Sequence, residues 1–134
     1  MGFTNSDEVR RYIGGIFESA FSDPELAPKL KATGLVLRFD FSDPATDLVV
    51  DLGQNTVVPE GVESEPAATM SMTADTGNAY WQGKVNLPLA MAKSKIKVDG
   101  NVASLLKLAP LGKKLFPVYV ENLKRDGRED LIVK

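Results

Sequence analysis

The 134-residue sequence contains no cysteine and no histidine. Without cysteine there is no disulfide framework, no thiolate nucleophile and no thiolate zinc site, and nothing ties the chain to an oxidising compartment. Without histidine, the Ser-His-Asp and Cys-His arrangements and imidazole metal sites are excluded too. Aromatics are sparse at 7%, with a single tryptophan, so the stacking surfaces of single-strand nucleic-acid binders are missing. Every long apolar window meets Lys or Pro before the ~18 residues that a spanning helix needs. The polar, acidic start from Met1 to Glu8 does not read as a secretory signal. Asp99-Gly100-Asn101 has one glycine and no Lys-Ser/Thr pair, so it is no phosphate loop. These absences predict a soluble, cytoplasmic, non-enzymatic protein with no resident cofactor, metal or nucleic-acid partner.

What is present fits one domain over residues 1–134. Hydrophobic residues make up 43% and charged residues 25%, close to the average for a soluble fold. The net charge of −2 is unevenly spread. Residues 1–83 hold 5 Lys+Arg against 13 Asp+Glu, a balance of −8, and residues 84–134 hold 11 against 5, a balance of +6. A basic half of this kind can steer an anionic partner. The acidic residues Asp40, Asp43, Asp47 and Asp51 lack the spacing of a calcium loop and read as a solvated surface.

The last third carries the strongest pattern. Lys95 to Val98 alternates as a short strand, Asp99-Gly100 reads as a turn, and Asn101 caps a helix that starts at Val102. From there to Leu123 the chain is apolar on more than one face. A surface helix normally shows one apolar stripe of about 100°, so this segment has apolar surface beyond what one small sheet can cover. Pro110 and Pro117 each interrupt a helical ladder unless they begin a helix, which predicts at least one break or kink.

Upstream, Asn5-Ser6-Asp7-Glu8 reads as a capping box. It opens a helix in which Val9, Tyr12, Ile13, Ile16, Phe17, Ala20 and Phe21 share one face, with Gly14-Gly15 as its weak point. Asp23-Pro24 starts a second helix, with Leu26, Ala27 and Leu30 inward, ended by Gly34. The period then becomes two: Leu35, Leu37, Phe39 and Phe41 alternate with polar residues, Asp43-Pro44 turns, and Leu48, Val50 and Leu52 face inward in the return strand. A third strand near Thr56 to Val58 is ended by Pro59-Glu60-Gly61. After an acidic loop from Val62 to Pro66, Ala68, Met70 and Met72 line one face of a fourth strand. These four strands read as an antiparallel meander. Asp75 is placed to cap a helix carrying Ala79, Tyr80 and Trp81, Pro88 to begin a helical turn, and the tail Asp130 to Val133 to pack back.

Three local patterns point to a known family. Met72 to Asp75 leads into Tyr80-Trp81 and Gly83-Lys84-Val85-Asn86, which is similar to an acidic-capped helix followed by Gly-Lys-Leu-Asn. Lys95-Ile96-Lys97-Val98-Asp99-Gly100 is similar to Lys-Leu-Lys-Ile-Lys-Gly, and Lys107-Leu108 falls where the following helix often has Lys-Leu. In these residues and in element order the chain resembles the sterol carrier protein type 2 family. It departs at Ala109, where the family commonly has glutamine, and at Met91-Ala92, which replace large aromatics. The resemblance implies an α+β fold with a five-stranded, mainly antiparallel sheet covered on one face by about five helices.

The same resemblance implies an apolar cavity between sheet and C-terminal helices, which would hold a fatty acyl chain, sterol or similar lipid. It places Met70, Met72, Trp81, Leu87, Met91, Leu105, Leu106, Leu111, Phe116, Tyr119 and Val120 around that cavity. Lys93, Lys95 and Lys97, expected on one strand face, together with Lys113 and Lys114, are candidate contacts to an anionic membrane. The alternative is a protein interaction module or homodimer that buries the same C-terminal surface.

Overall fold

The alternation after Gly34 produces the centre of the sheet. In the computed structural model, which describes residues 2–59 and 65–133, β1 (Val36–Ser42) buries Leu37, Phe39 and Phe41. A hairpin through Asp43-Pro44 returns the chain as β2 (Thr46–Asp51), which buries Leu48 and Val50. The short β3 (Thr56–Val58) pairs antiparallel with β2 at one edge. The acidic loop and the turn that precedes it fall mainly in residues 60–64, outside the described residues.

The expected meander ends there. β4 (Ala68–Thr73) does not pair with β3; it runs parallel to β1, and β5 (Lys97–Gly100) pairs antiparallel with β4. The sheet order is β3-β2-β1-β4-β5, so it is mixed, with antiparallel pairing at every junction except β1 to β4. The parallel register explains the crossover: it sets Leu37, Phe39 and Phe41 beside Ala68, Met70 and Met72, which joins two buried rows into one inner face.

The fifth strand starts two residues later than its alternation predicts. The N–H groups of Lys95 and Ile96 donate to the Ala90 carbonyl at 2.9 and 3.3 Å, which finishes the preceding helix instead of pairing with β4. Asp99-Gly100 is likewise part of the strand rather than a turn. At Gly100, φ is +99°, and a Cβ would lie 2.4 Å from the Ala67 carbonyl oxygen, so only glycine lets the two backbones approach there. Lys93, Lys95 and Lys97 therefore do not share a strand face. Lys93 ends a helix, Lys95 lies in the connection, and Lys97 opens β5 opposite Ser71 on the outer face.

Helices cover the inner face. α1 (Ser6–Val9), a π-helical turn (Arg10–Gly14) and α2 (Gly15–Phe21) follow one another without a break. Asn5 Oδ1 accepts the Glu8 N–H at 3.0 Å, but the Glu8 carboxylate accepts from Thr4 N–H, one residue earlier than in a capping box. α3 (Leu26–Thr33) begins where Asp23 Oδ1 accepts from the N–H groups of Glu25 and Leu26 and ends at Gly34, φ +64°. α4 (Ala74–Trp81) is capped by Thr73, not Asp75: Thr73 is extended, and its Oγ1 accepts the Thr76 N–H at 3.1 Å. Asp75 sits in the first turn, where its charge favours the helix dipole.

α4 packs closely on the sheet. A Cβ on Gly77 would lie 2.6 Å from a Phe41 ring carbon and 3.3 Å from Ile13. Gly77→Ala is accordingly expected to cost about 1–3 kcal/mol by forcing the ring and helix apart, read as a shifted urea midpoint with an unchanged slope.

α5 (Leu87–Ala92) is capped by Asn86, with Pro88 in its first turn. α6 (Val102–Gly112) is capped by Asn101 and holds Pro110 near its C-terminal end; a 3-10 turn (Lys113–Leu115) then leads into α7 (Phe116–Arg125), with Pro117 in its first turn. The expected break is thus the 3-10 turn between the two prolines. The tail does pack back through a second 3-10 turn (Glu129–Leu131), with Leu131 buried. Among the described residues no helix is long and apolar enough to cross a membrane.

Candidate functional site

α6 and α7 are adjacent in sequence and held very differently. In α7, Tyr119 and Leu123 are fully buried, whereas α6 buries only Leu105 and leaves Leu106 40% exposed. A buried polar cluster fixes α7. The Tyr119 hydroxyl donates to Asn78 Oδ1 at 2.7 Å, and Asn78 Nδ2 donates to the Leu131 carbonyl at 2.8 Å. Gln82 Nε2 donates to Asn78 Oδ1 and Leu131 O, both at 3.0 Å, while its Oε1 accepts the Val133 N–H at 2.7 Å. α4, α7 and the tail are thereby joined through groups that would be costly to leave unpaired.

Burial in that cluster pushes the Tyr119 phenol well above its ordinary range. The folded state keeps this proton while the unfolded state releases it near pH 10, so the contribution is complete below pH 10 and is lost as pH rises above it. Stability should fall from about pH 10 upward by as much as ~1.4 kcal/mol per pH unit for this group. Denaturation midpoints between about pH 9 and 11 should show a shallower fall in Tyr119→Phe.

α6 instead roofs a cavity of ≈ 60 Å³. The floor is sheet: Leu37 and Phe39 from β1, Leu52 after β2, and Met70 from β4. Phe17 of α2 with Leu26 and Leu30 of α3 form one side, and Tyr80, Trp81 and Leu87 form the other. Leu105, Leu108, Ala109, Leu111 and Gly112 of α6, with Leu115, close the top. Trp81 anchors this wall: its ring lies edge-on to Phe17 at 5.3 Å and to Phe116 at 6.1 Å. Gly112 sits over the same ring, where a Cβ would lie 3.7 Å from it. Tyr80 and Trp81 are the only lining residues whose side chains carry an O–H or N–H group, and burial raises the Tyr80 phenol above the usual range, which keeps it neutral.

Three cavity residues, Tyr80, Leu87 and Ala109, also line an open groove of ≈ 780 Å³ between the Gly83–Pro88 segment and the C-terminal end of α6. They are part of the wall between the inside and the surface, with Trp81 on the cavity side packed against Phe116 on the groove side. Gly83 has φ +78°, and a Cβ there would lie 3.1 Å from the Phe116 ring, so this glycine admits Phe116 to the groove.

The sequence-predicted residues divide accordingly. Met70, Trp81, Leu87, Leu105 and Leu111 line the cavity, with Leu87 also in the groove beside Leu106 and Phe116. Met72 and Tyr119 are buried in the core, Met91 is half-buried against it, and Val120 is half-buried; none of the four lines the cavity. The rest of the lining comes from residues whose sequence pattern marks them only as core. Phe17, Leu26 and Leu30 belonged to visible apolar helix faces, and Leu37 and Phe39 to a visible inward row; no signal in the pattern distinguishes core that faces a space from core that is filled. Asn78 and Gln82 carry no sequence signal of burial.

The lysines do not form one patch. Lys113 lines the groove with Lys84, while Lys93 and Lys95 line an adjoining crevice of ≈ 370 Å³ that also includes Lys84. Lys114 contributes to the field that holds the Asp23 carboxyl below its usual range, an effect due mainly to the N–H groups of Glu25 and Leu26. In the acidic strand region, Asp47 is paired with Arg38 at 2.7 Å. Among the described residues no group of three or more Asp, Glu, His or Cys is placed to hold a metal.

The sequence pattern of the SCP-2 sterol transfer family matches residues 15–113, from the start of α2 through α6. The chain belongs to the SCP-2 sterol transfer family. This is a family of lipid-binding and lipid-transferring domains, and the SCP-2 architecture recurs in solved structures. A sterol carrier protein domain 2 of Helicoverpa armigera is 22% identical and superposes with a TM-score of 0.68 over 87% of this chain and 94% of its own. Sterol carrier protein-2 of Aedes aegypti, solved in complex with the C16 fatty acid palmitate, is 28% identical with a TM-score of 0.56 over 80% of this chain and 93% of its own. A sec-alkylsulfatase of Pseudomonas sp., 21% identical with a TM-score of 0.55, matches 63% of this chain but only 14% of its own length, so the fold also occurs as one part of an enzyme. No curated protein sequence matches the chain.

Proposed function

We propose that this SCP-2 family member is a non-enzymatic lipid carrier, which holds an apolar chain between the sheet and α6 and passes it between membranes or proteins. The observation that carries this reading is the cavity roofed by α6, with the Tyr80 phenol and the Trp81 indole N–H as its only polar side-chain groups, sharing Tyr80, Leu87 and Ala109 with an open groove. A cavity of ≈ 60 Å³ is far below the roughly 300–1,000 Å³ of small-molecule sites. Uptake therefore requires α6 to lift, and its sparse burial suits it to that motion. The 3-10 turn at Lys113–Leu115 supplies the hinge, while the Asn78 cluster holds α7 in place. Each methylene of the ligand taken from water contributes ~0.8 kcal/mol. Met70, Trp81, Leu87, Leu105 and Leu111 contact the chain in this scheme.

The surface near the groove suits contact with an anionic membrane. Leu89 and Leu106 are 51% and 40% exposed; Lys113 lines the groove with Leu106, and Lys93 and Lys95 line the adjoining crevice with Leu89, while Lys114 lines neither. Lys97, on the outer sheet face, takes no part.

Native mass spectrometry of freshly purified protein tests the lipid reading. Bound lipid at one per chain is expected, either retained from the host or after incubation with a long-chain fatty acid. A protein that stays lipid-free under both conditions would overturn it. If the same sample is a lipid-free dimer by light scattering, the exposed Leu106 and Val118 favour the interaction-module reading instead.

A further inference from the structure

The groove outside the cavity carries charge of one sign. Lys84, on the loop after α4, and Lys113, at the start of the 3-10 turn after α6, line it from two different segments, and no Asp or Glu lines it. Neither lysine makes an ion pair among the described residues. Asn86, another polar residue of the groove, is already engaged, since its Oδ1 accepts the Leu89 N–H at 3.0 Å. The wall shared with the cavity offers one phenol and no charge, because Ala109 and Leu87 have no polar side-chain atoms. Beside the groove, the crevice shared at Lys84 adds Lys93 and Lys95 against a single carboxylate, Asp75.

We propose that this groove is the subsite for an anionic headgroup, carboxylate or phosphate, of a single-chain lipid, and that Lys84 and Lys113 select the anionic lipid over its neutral counterpart. The inference rests on the lipid-carrier reading above and adds the chemistry of the ligand's polar end. The cavity cannot take a charge, since its lining has no ionised group and only the Tyr80 phenol and the Trp81 indole N–H as polar side-chain groups, and burying an unpaired charge there would be prohibitive. The polar end must therefore stay in the groove while the hydrocarbon passes Ala109. There it meets two ammonium groups that have no ion-pair partner among the described residues, at the boundary of an apolar wall, where opposite charges attract more strongly than in open water. Lysine stems can lie along apolar surface with the ammonium in solvent, so both residues serve the groove without closing it. A neutral headgroup gains nothing from them.

Calorimetric titration of the full chain with dodecanoate, dodecyl phosphate and dodecanol tests this, because the three share one hydrocarbon chain. At low salt both anions should bind roughly tenfold tighter than the alcohol, with the gap narrowing at about 0.5 M salt. The double variant Lys84→Gln/Lys113→Gln should lose the gap while its affinity for dodecanol and its melting temperature stay unchanged. Lys93→Gln/Lys95→Gln should keep it. Equal binding of acid and alcohol by the wild type, or a gap that survives in Lys84→Gln/Lys113→Gln, overturns the headgroup subsite and leaves the carrier reading intact. Equal loss in both double variants also overturns it, in favour of a diffuse field. Failure of all three compounds to bind overturns the carrier reading and the subsite together.

Discussion

Replacing Ala109 with phenylalanine is expected to weaken uptake of a long-chain fatty acid by at least about thirtyfold, close to 2 kcal/mol, with the melting temperature nearly unchanged. Ala109 is half-buried and lies in the wall shared by the cavity and the groove. A ring there occupies the passage whichever side it turns to. Because one side is open groove, the ring is accommodated without the strain that overpacking a closed core would cause. Leu106, by contrast, lines only the outer groove, so Leu106→Trp should narrow the approach and affect uptake less. Displacement of a fluorescent fatty acid measures both variants, and thermal unfolding confirms that each is folded. Full uptake by Ala109→Phe would show that the chain does not pass this wall.

The largest expected loss of stability comes from Asn78→Leu, at about 3–4 kcal/mol. Asn78 is 4% exposed, and its removal leaves the fully buried Tyr119 hydroxyl without its acceptor and takes a donor from the Leu131 carbonyl. Gln82 keeps its own bond to Leu131, so the tail is weakened and not freed. The cost should be non-additive. Adding Tyr119→Phe removes the orphaned hydroxyl, so the double variant should recover part of the loss, with a coupling of about 1–2 kcal/mol. Urea denaturation of the two single variants and the double variant completes the cycle. Strict additivity would mean that the hydroxyl is satisfied elsewhere.

Most of the fold is legible in the sequence because it rests on local periodicity. The inward rows of β1, β2 and β4, the caps at Asn5 and Asn101, the helical turn begun at Pro88, and the end of α3 at Gly34 follow from residue type and spacing. The departures come from non-local competition. Nothing local to Ala68–Thr73 tells it to pair with β1 and not with β3; that choice depends on matching two apolar rows far apart in sequence. Lys95 and Ile96 alternate like a strand, yet their N–H groups are taken by the Ala90 carbonyl. Thr73 wins the cap from Asp75 because the strand holds it extended, and Gly100 extends β5 because the Ala67 carbonyl needs its missing Cβ.

The site was legible in part for a related reason. The surplus of apolar faces from Val102 to Leu123 does correspond to a roof, but only its α6 half lies over the cavity. The α7 half is drawn into the core by Tyr119, whose partner Asn78 is an unremarkable polar residue in the sequence. Tyr119 and Val120 therefore belong to the anchor rather than to the cavity, while Leu108 and Ala109 belong to the roof. The division between them depends on one hydrogen-bonded cluster, which hydrophobic pattern does not encode.

Trp81, the only tryptophan in the chain, lines the cavity and is 6% exposed, which makes it a reporter placed at the proposed binding site. Titration with a fatty acid brominated near the middle of its chain is the most direct measurement, because bromine quenches indole emission only at close range. Saturable quenching at one ligand per chain, abolished in Ala109→Phe, is the predicted result. Emission from Trp81 that stays unchanged in the folded wild-type protein, or declines without saturating, would contradict a lipid site beneath α6.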